Sequence, residues 1–324
     1  MTGDRLVLLD VGHGNAAVLH AQGHVCVIDA GPGTTLLEYI RTSNISSIDL
    51  AILSHADKDH IAGLLGLLTA GNVAIKRVLL NTDSEKASST WADLAHELEL
   101  HWKNQGLTFE VALTAQQSPI AIGTTTLEIL APTPALAMMG PGSKTHNGRR
   151  ITSNTISAVI RIVYDGQPVS LLTGDLDAVG LDELLGRGVT VTAPLLVFPH
   201  HGGGSGTRSA DFATRLVTAA TPTSVVFSVG RGRHGNPQRE IVDAVRKVGP
   251  TTRIVCTQLA EQCAAELSKG RPTHLTSVVA HGREGNRCCG GTVVLRFGKG
   301  GGLFPRQAAH VEFIKLKAPT AMCQ

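Results

Sequence analysis

Apolar and polar positions alternate in short runs at the start of the chain. Arg5 to Asp10, Ala16 to His20 and Val25 to Asp29 read as three strands joined by Gly-containing turns, a meander that brings two Gly-rich turns to one rim. Thr34 to Arg41 reads as a helix capped by Thr34 or Thr35, and Ile48 to Leu53 as a buried strand. Ile61 to Leu68 then forms the first turns of a helix carrying Gly63 and Gly66. Ile75 to Leu80 is a further strand, and Ser89 to Gln105 is a long amphipathic helix with a Ser/Thr cap. His96 and His101 lie on that helix five residues apart, off a common face, and read as surface or boundary residues. Strands at Thr108 to Leu113 and Thr125 to Leu130 complete a first half.

The pattern lapses from Pro132 to Arg150, which reads as a long loop made basic by Lys144, Arg149 and Arg150, with His146 among them. It resumes with a hairpin, Asn154 to Tyr164 and Pro168 to Leu172, turning on Asp165-Gly166. Strands Leu195 to Phe198, Ser224 to Val229 and Arg253 to Thr257 alternate with helices Ala210 to Ala219 and Gln238 to Val248. Ser277 to His281 and Thr292 to Phe297 read as edge strands. The division expected is one domain over 1–298 and a Gly-rich C-terminal tail over 299–324. Strands and helices repeat in both halves, so the class is α/β.

Composition changes this picture little. Of 324 residues, 42% are hydrophobic and 3% aromatic, with 36 Gly, so the core is aliphatic and its connections tight. A formal net charge of +3 neither requires nor opposes a nucleic-acid partner. The chain shows neither a leader of the secretory kind nor an uncharged run long enough to cross a bilayer; a cytoplasmic protein without a membrane segment is the expectation. Six Cys are present; Cys263, Cys288 and Cys289, with His274 and His281, could build a structural zinc site, although their spacing matches no standard finger. Core thiols or a redox-labile cross-link are the alternatives.

The chemistry gathers at strand ends. Ser54-His55-Ala56-Asp57-Lys58-Asp59-His60 packs four candidate ligands between an apolar strand and a helix, at the carboxyl end of the strand where open α/β sheets place their sites. Alone, Asp59 and His60 would do no more than cap a helix. Asp175, His200-His201 and His234 end later strands in the same way. Imidazoles and carboxylates in this alternation can hold zinc or manganese.

His55-x-Asp57-x-Asp59-His60 resembles the His-x-His-x-Asp-His signature of the metallo-β-lactamase superfamily, in the variant found in the soluble hydrolase domain of ComEC-type competence proteins. Leu9-Asp10-Val11-Gly12-His13-Gly14-Asn15, Ile28-Asp29-Ala30-Gly31, Leu172-Thr173-Gly174-Asp175 and Pro199-His200-His201-Gly202 extend the resemblance in order, as does Ser228-Val229-Gly230 with His234-Gly235-Asn236-Pro237. It implies a four-layer αβ/βα sandwich with two divalent ions, Zn2+ or Mn2+, between its halves. His55 and Asp57 would hold the first ion, Asp59 and His60 the second, with Asp175 bridging and one or both of His200 and His201 completing the set. Asp57 replaces an imidazole with an oxygen donor, which makes the first site harder and more negative. No counterpart of the superfamily's separate His is evident; His146 or Asn154 could fill that place. Asp29, and Asp10 in the opening motif, would brace ligands from behind.

Such a site suits metal-dependent hydrolysis with Asp59 at its heart. His234, in an Arg-rich Gly loop, is placed to bind phosphate or protonate a leaving oxygen. Lys58, Lys144, Arg149, Arg150, Arg231 and Arg233 could contact a polyanion, and Ser205 and Thr207 could offer hydroxyls to phosphate. A phosphodiesterase or nuclease acting on DNA or RNA is therefore the first expectation. Hydrolysis of a small phosphoester, lactone or β-lactam is the second, and a non-catalytic regulatory binding module the third.

Overall fold

The structure, a computed structural model, describes residues 3–205, 208–267, 270 and 272–324; Thr207 lies outside the described residues. Two large sheets carry the chain. The first has the spatial order Gly302–Phe304, Val293–Arg296, Arg5–Leu8, Ala16–Ala21, His24–Ala30, Leu50–Ile52, Arg77–Leu79, Thr108–Glu110. The second runs Arg253–Cys256, Ser224–Phe227, Leu195–Val197, Gln167–Leu172, Val159–Tyr164, Thr125–Ala131, Ile120–Ile122.

Strand alternation sorts the side chains of each sheet between two of three apolar clusters, which is why these runs read as apolar throughout. Leu6 and Leu8 join Ile28 and Ile52 against Ile160, Val197 and Val226 of the other sheet. Val7 and Leu9 pack oppositely, with Tyr39, Leu64 and Leu98 from helices Thr35–Thr42, Lys58–Ala70 and Ser89–Gln105. On the second sheet, Leu171, Leu196 and Val225 meet Leu184, Leu216, Val245 and Ile314 from four further helices. These are Ala178–Gly186, Ser209–Ala220, Arg239–Val248 and Gln307–Lys317. Helix, sheet, sheet and helix stack as the four layers of an αβ/βα sandwich.

Several expectations change. Residues 132–150 are not a featureless loop: Thr133 caps a short helix, Pro134–Met139, by accepting a hydrogen bond from Leu136 N–H. Asn154 lies in a turn ahead of the strand, which begins at Val159. Helix Ala178–Gly186 was hidden by its two glycines, although Asp177 caps it. Ser277 to His281 forms no strand, because its polar groups find other partners: Arg283 donates to the Thr276 and Val278 carbonyls, and the Thr292 hydroxyl to that of Val279. Val293–Arg296 is not an edge but pairs with Arg5–Leu8 on one side and Gly302–Phe304 on the other. Beyond the Gly-rich turn, the expected tail supplies that last strand and a helix that buries His310 and Ile314.

Among the described residues the thiols do not converge into a zinc site. Cys288 Sγ lies 3.5 Å from Asp10 Oδ2, Cys289 Sγ lies 3.2 Å from His310 Nε2, and His281 is exposed elsewhere. All six cysteines are free. Burial pushes the Cys256 and Cys289 thiols well above their ordinary range and keeps them protonated.

Candidate metal centre

Strand Leu50–Ile52 lies between parallel neighbours, and the chain leaving it delivers Ser54 to His60 to the rim. Leu172 and Val197, at the ends of two parallel strands of the facing sheet, deliver Asp175 and His200-His201 to the same place. Asp59, His60, Asp175 and His201 each offer one ligand atom, and these atoms lie within 4.8 Å of one another. His201 Nε2 is 3.2 Å from Asp59 Oδ2 and 3.7 Å from Asp175 Oδ1, while His60 Nε2 is 3.2 Å from Asp175 Oδ1. Of the His pair, His201 joins this group; His200 Nδ1 stands 3.6 Å from the other Asp175 oxygen, and its backbone N–H donates to Asp175 Oδ1.

Support from behind is dense. Asp29 Oδ2 receives His60 Nδ1 at 2.8 Å and the Ser54 hydroxyl at 2.9 Å, while its Oδ1 accepts from Ser54 N–H at 2.7 Å. The Ser54 oxygen also meets His55 Nδ1 at 3.0 Å. These contacts turn Nε2 of both rings inward. Asp10 acts differently from the expectation, for it touches no ligand. Its Oδ1 accepts from Gly12 N–H and Gln258 Nε2, its Oδ2 from Gly282 N–H, and together they tie the segment around 281–288 to the opening motif.

Charges inside the cluster are strongly coupled. Burial opposes the Asp175 and Asp59 carboxylates, but neighbouring His60 and His201 outweigh it and hold both well below the usual carboxylate range. Burial likewise opposes protonation of His60, and Asp175 and Asp29 overcome it, raising that imidazole. His55, buried and beside His60, is pushed down to about 4. Nε2 of His55 and of His60 is buried without a hydrogen-bond partner. Inward imidazole nitrogens without partners, ringed by carboxylates, fit a divalent cation.

A groove of about 700 Å³ opens over the cluster, lined by Asp57, Asp59, Lys58, Arg233 and His234 among others. His13, which the sequence did not single out, lies between His201 and His234, its ring tilted against theirs at 4.4 and 4.6 Å, and reaches within 3.6 Å of Asp59. A His between Gly12 and Gly14 in the opening turn was the available signal. Burial and the nearby His201 push it down to about 4. Gly230 lets the His234 loop lie on this turn, since a Cβ there would come 2.5 Å from His13 N. His234 is exposed and one ring removed from the ligand group.

Arg287 and His281 also line the groove, on the segment Asp10 secures. Arg231 borders it, but its guanidinium donates to the Leu259, Ala264 and Ala265 carbonyls and is occupied with holding that loop. Lys144, Arg149 and Arg150 do not line it. Arg149 pairs with Asp182, and Arg150 with Glu85 at 3.0 Å. His146 is exposed and meets none of the cluster, whereas Asn154 Oδ1 is buried without a partner. Ser205 Oγ is likewise buried and unpartnered, with no contact to the cluster.

The sequence profile of the Metallo-beta-lactamase superfamily matches residues 9–122. Competence protein ComA of Neisseria gonorrhoeae is 22% identical over 269 residues, covering 81% of this chain and 32% of that protein. Ribonuclease Z of Clostridium tetani is 39% identical over 66 residues, 20% of this chain and 21% of that protein. The chain thus aligns with about a third or less of the length of either relative. Among solved structures, Tm1679, a metal-dependent hydrolase of the β-lactamase superfamily, aligns over 78% of this chain and 95% of its own at 17% identity and TM-score 0.49. YhfI of Bacillus subtilis aligns over 79% and 96% at 16% identity and TM-score 0.48. The superfamily's profile thus covers the first third of the chain, including the acid and His turn that stands at the seam of the two sheets.

Proposed function

We propose that the chain is a metal-dependent phosphodiesterase acting on DNA or RNA. One observation carries this reading: the groove over the ligand group presents Lys58, Arg233 and Arg287, none of which makes an ion pair among the described residues. Cations left free above a cluster of carboxylates suit the phosphates on either side of a scissile bond. Asp59, His60, Asp175 and His201 would hold a divalent ion, zinc or manganese, and when bound it would supply Lewis-acid polarisation of a phosphoryl oxygen. Asp29 and Ser54 fix the ring of His60. His13 and His234 lie ring to ring, tilted, between Asp59 and solvent, where His234 would meet phosphate or the leaving oxygen. The ribonuclease and competence proteins among the relatives are consistent with this reading.

A small phosphoester, lactone or β-lactam is the second reading, and it draws on the groove's lack of Phe, Tyr and Trp, the rings on which single strands stack. Turnover of a bis-arylphosphate, a monoester and a chromogenic lactam by metal-loaded protein separates the two. Diester turnover that disappears in Asp59→Ala along with bound metal is expected. Binding of labelled DNA and RNA by Asp59→Ala should weaken with salt, and the slope should flatten by roughly one unit for each of Arg233→Ala and Arg287→Ala. Salt-independent behaviour towards every nucleic acid, beside efficient lactam or monoester turnover, would select the second reading.

A further inference from the structure

His55 and Asp57 stand where the superfamily's first cation would be held, and Lys86 reaches into that half of the site. Its Nζ is 2.5 Å from Asp57 Oδ1, on the side chain that also approaches His55 Nε2 at 3.8 Å. Asp57 occupies the N-cap position of helix Lys58–Ala70, yet its side chain makes no capping hydrogen bond and turns to Lys86 instead. His55, Asp57 and Asp175 do not form a second group of converging ligand atoms among the described residues. The Lys86 loop is itself anchored: Asp83 Oδ2 accepts from the Ser153 hydroxyl at 2.6 Å, and Glu85 meets Arg150.

We propose that the Lys86 ammonium takes the place of the first cation, so that the chain loads a single divalent ion, at Asp59, His60, Asp175 and His201. This rests on the metal-dependent reading above and replaces the two ions the resemblance implies. The charges explain the arrangement. Where the superfamily pattern has a neutral imidazole, this chain has the Asp57 carboxylate, and a second carboxylate near His55, which Asp175 also approaches, would attract a cation strongly. Lys86 returns the balance with a tethered positive charge. A divalent ion binding the same Asp57 oxygen would face that ammonium at close range, and the repulsion between them is largest where water is scarce. His55 then remains a neutral imidazole, and Lys86 holds its positive charge against Asp57, which lines the groove.

Metal content read by elemental analysis after equilibration with Mn2+ or Zn2+ tests this without recourse to activity. Wild type is expected to hold one ion per chain, Lys86→Arg one, and Lys86→Met two, the second bound more weakly. Circular dichroism and melting of Lys86→Met check that the variant is folded; a misfolded variant is replaced by Lys86→Gln, for which the same gain is expected. Two ions in folded wild type, or one in each folded neutral variant, would overturn the Lys86 assignment. No bound ion in wild type, or equal metal in wild type and Asp59→Ala, would instead overturn the metal-dependent reading itself.

Discussion

At the scale of single residues the site is a set of carboxylates whose value depends on what stands behind them. Asp29 accepts three hydrogen bonds and fixes His60 through one of them. Asp29→Asn removes the charge facing the His60 ring while keeping the side chain's size, so metal affinity should fall about 10- to 100-fold. Calorimetric titration with Mn2+ or Zn2+ measures it, and an unchanged affinity would show that Asp29 does no more than hold Ser54. The contrast with Asp10 is instructive. Both are buried acids that close apolar runs just ahead of Gly-rich turns, alike to the eye in sequence; only the fold shows that Asp29 meets a His and Asp10 the backbone amide of Gly282. The ligands were legible because each follows an apolar run, as with His55 after Ile52 and Asp175 after Leu172. Lys86 and Arg287 were not, for each sits on a stretch without periodicity whose approach depends on contacts made far away in the chain.

At the scale of elements, the helix that follows the ligand turn must lie close to the strand beside it. A Cβ at Gly63 would come 2.6 Å from the Gly31 carbonyl and 3.0 Å from that of Ala30, whereas a Cβ at Gly66 would meet nothing within 4 Å. Gly63→Ala should therefore destabilise by about 1–3 kcal/mol as the helix is pushed off the sheet. Gly66→Ala, exposed on the same helix, should stabilise by about 0.5–1 kcal/mol. Urea unfolding of both variants checks the pair, and equal effects would refute the close approach. Apolar period alone found this helix from Ile61 onward. It missed the first turn, Lys58 to His60, because that turn is polar on account of its chemistry.

At the scale of the whole molecule, the C-terminal helix closes the second layer over Ile254 and Cys256 and buries His310 beside Cys289. Burial, with Arg253 and His274 nearby, lowers His310 to about 3. Its folded form thus resists protonation that the unfolded chain accepts. Between about 6.5 and 3 the unfolded state binds more protons, so stability falls as pH falls through that window. This contribution is ~1–4 kcal/mol in all. Unfolding measured from pH 7.5 to 4.5 should show it, and His310→Gln should show a shallower fall; parallel profiles would assign the acid sensitivity elsewhere. The residues after Gly298 looked like a tail because their glycines and isolated apolar positions carry no period long enough to announce an element. Their partners lie in the segment 253–263 and in the strand at 293–296.

The pairing of Arg5–Leu8 with Val293–Arg296 also has a consequence in time. On the ribosome, the strand's outer edge waits for a partner made some 285 residues later, roughly 15 to 60 s at ordinary rates of synthesis. Throughout that wait Leu6 and Val7 belong to a row of unpaired amides and carbonyls, the kind of edge that captures other chains. Nascent protein is thus exposed to aggregation until residues 293–296 emerge, and slow translation or premature termination ahead of residue 293 should enrich it in chaperone-bound and insoluble fractions.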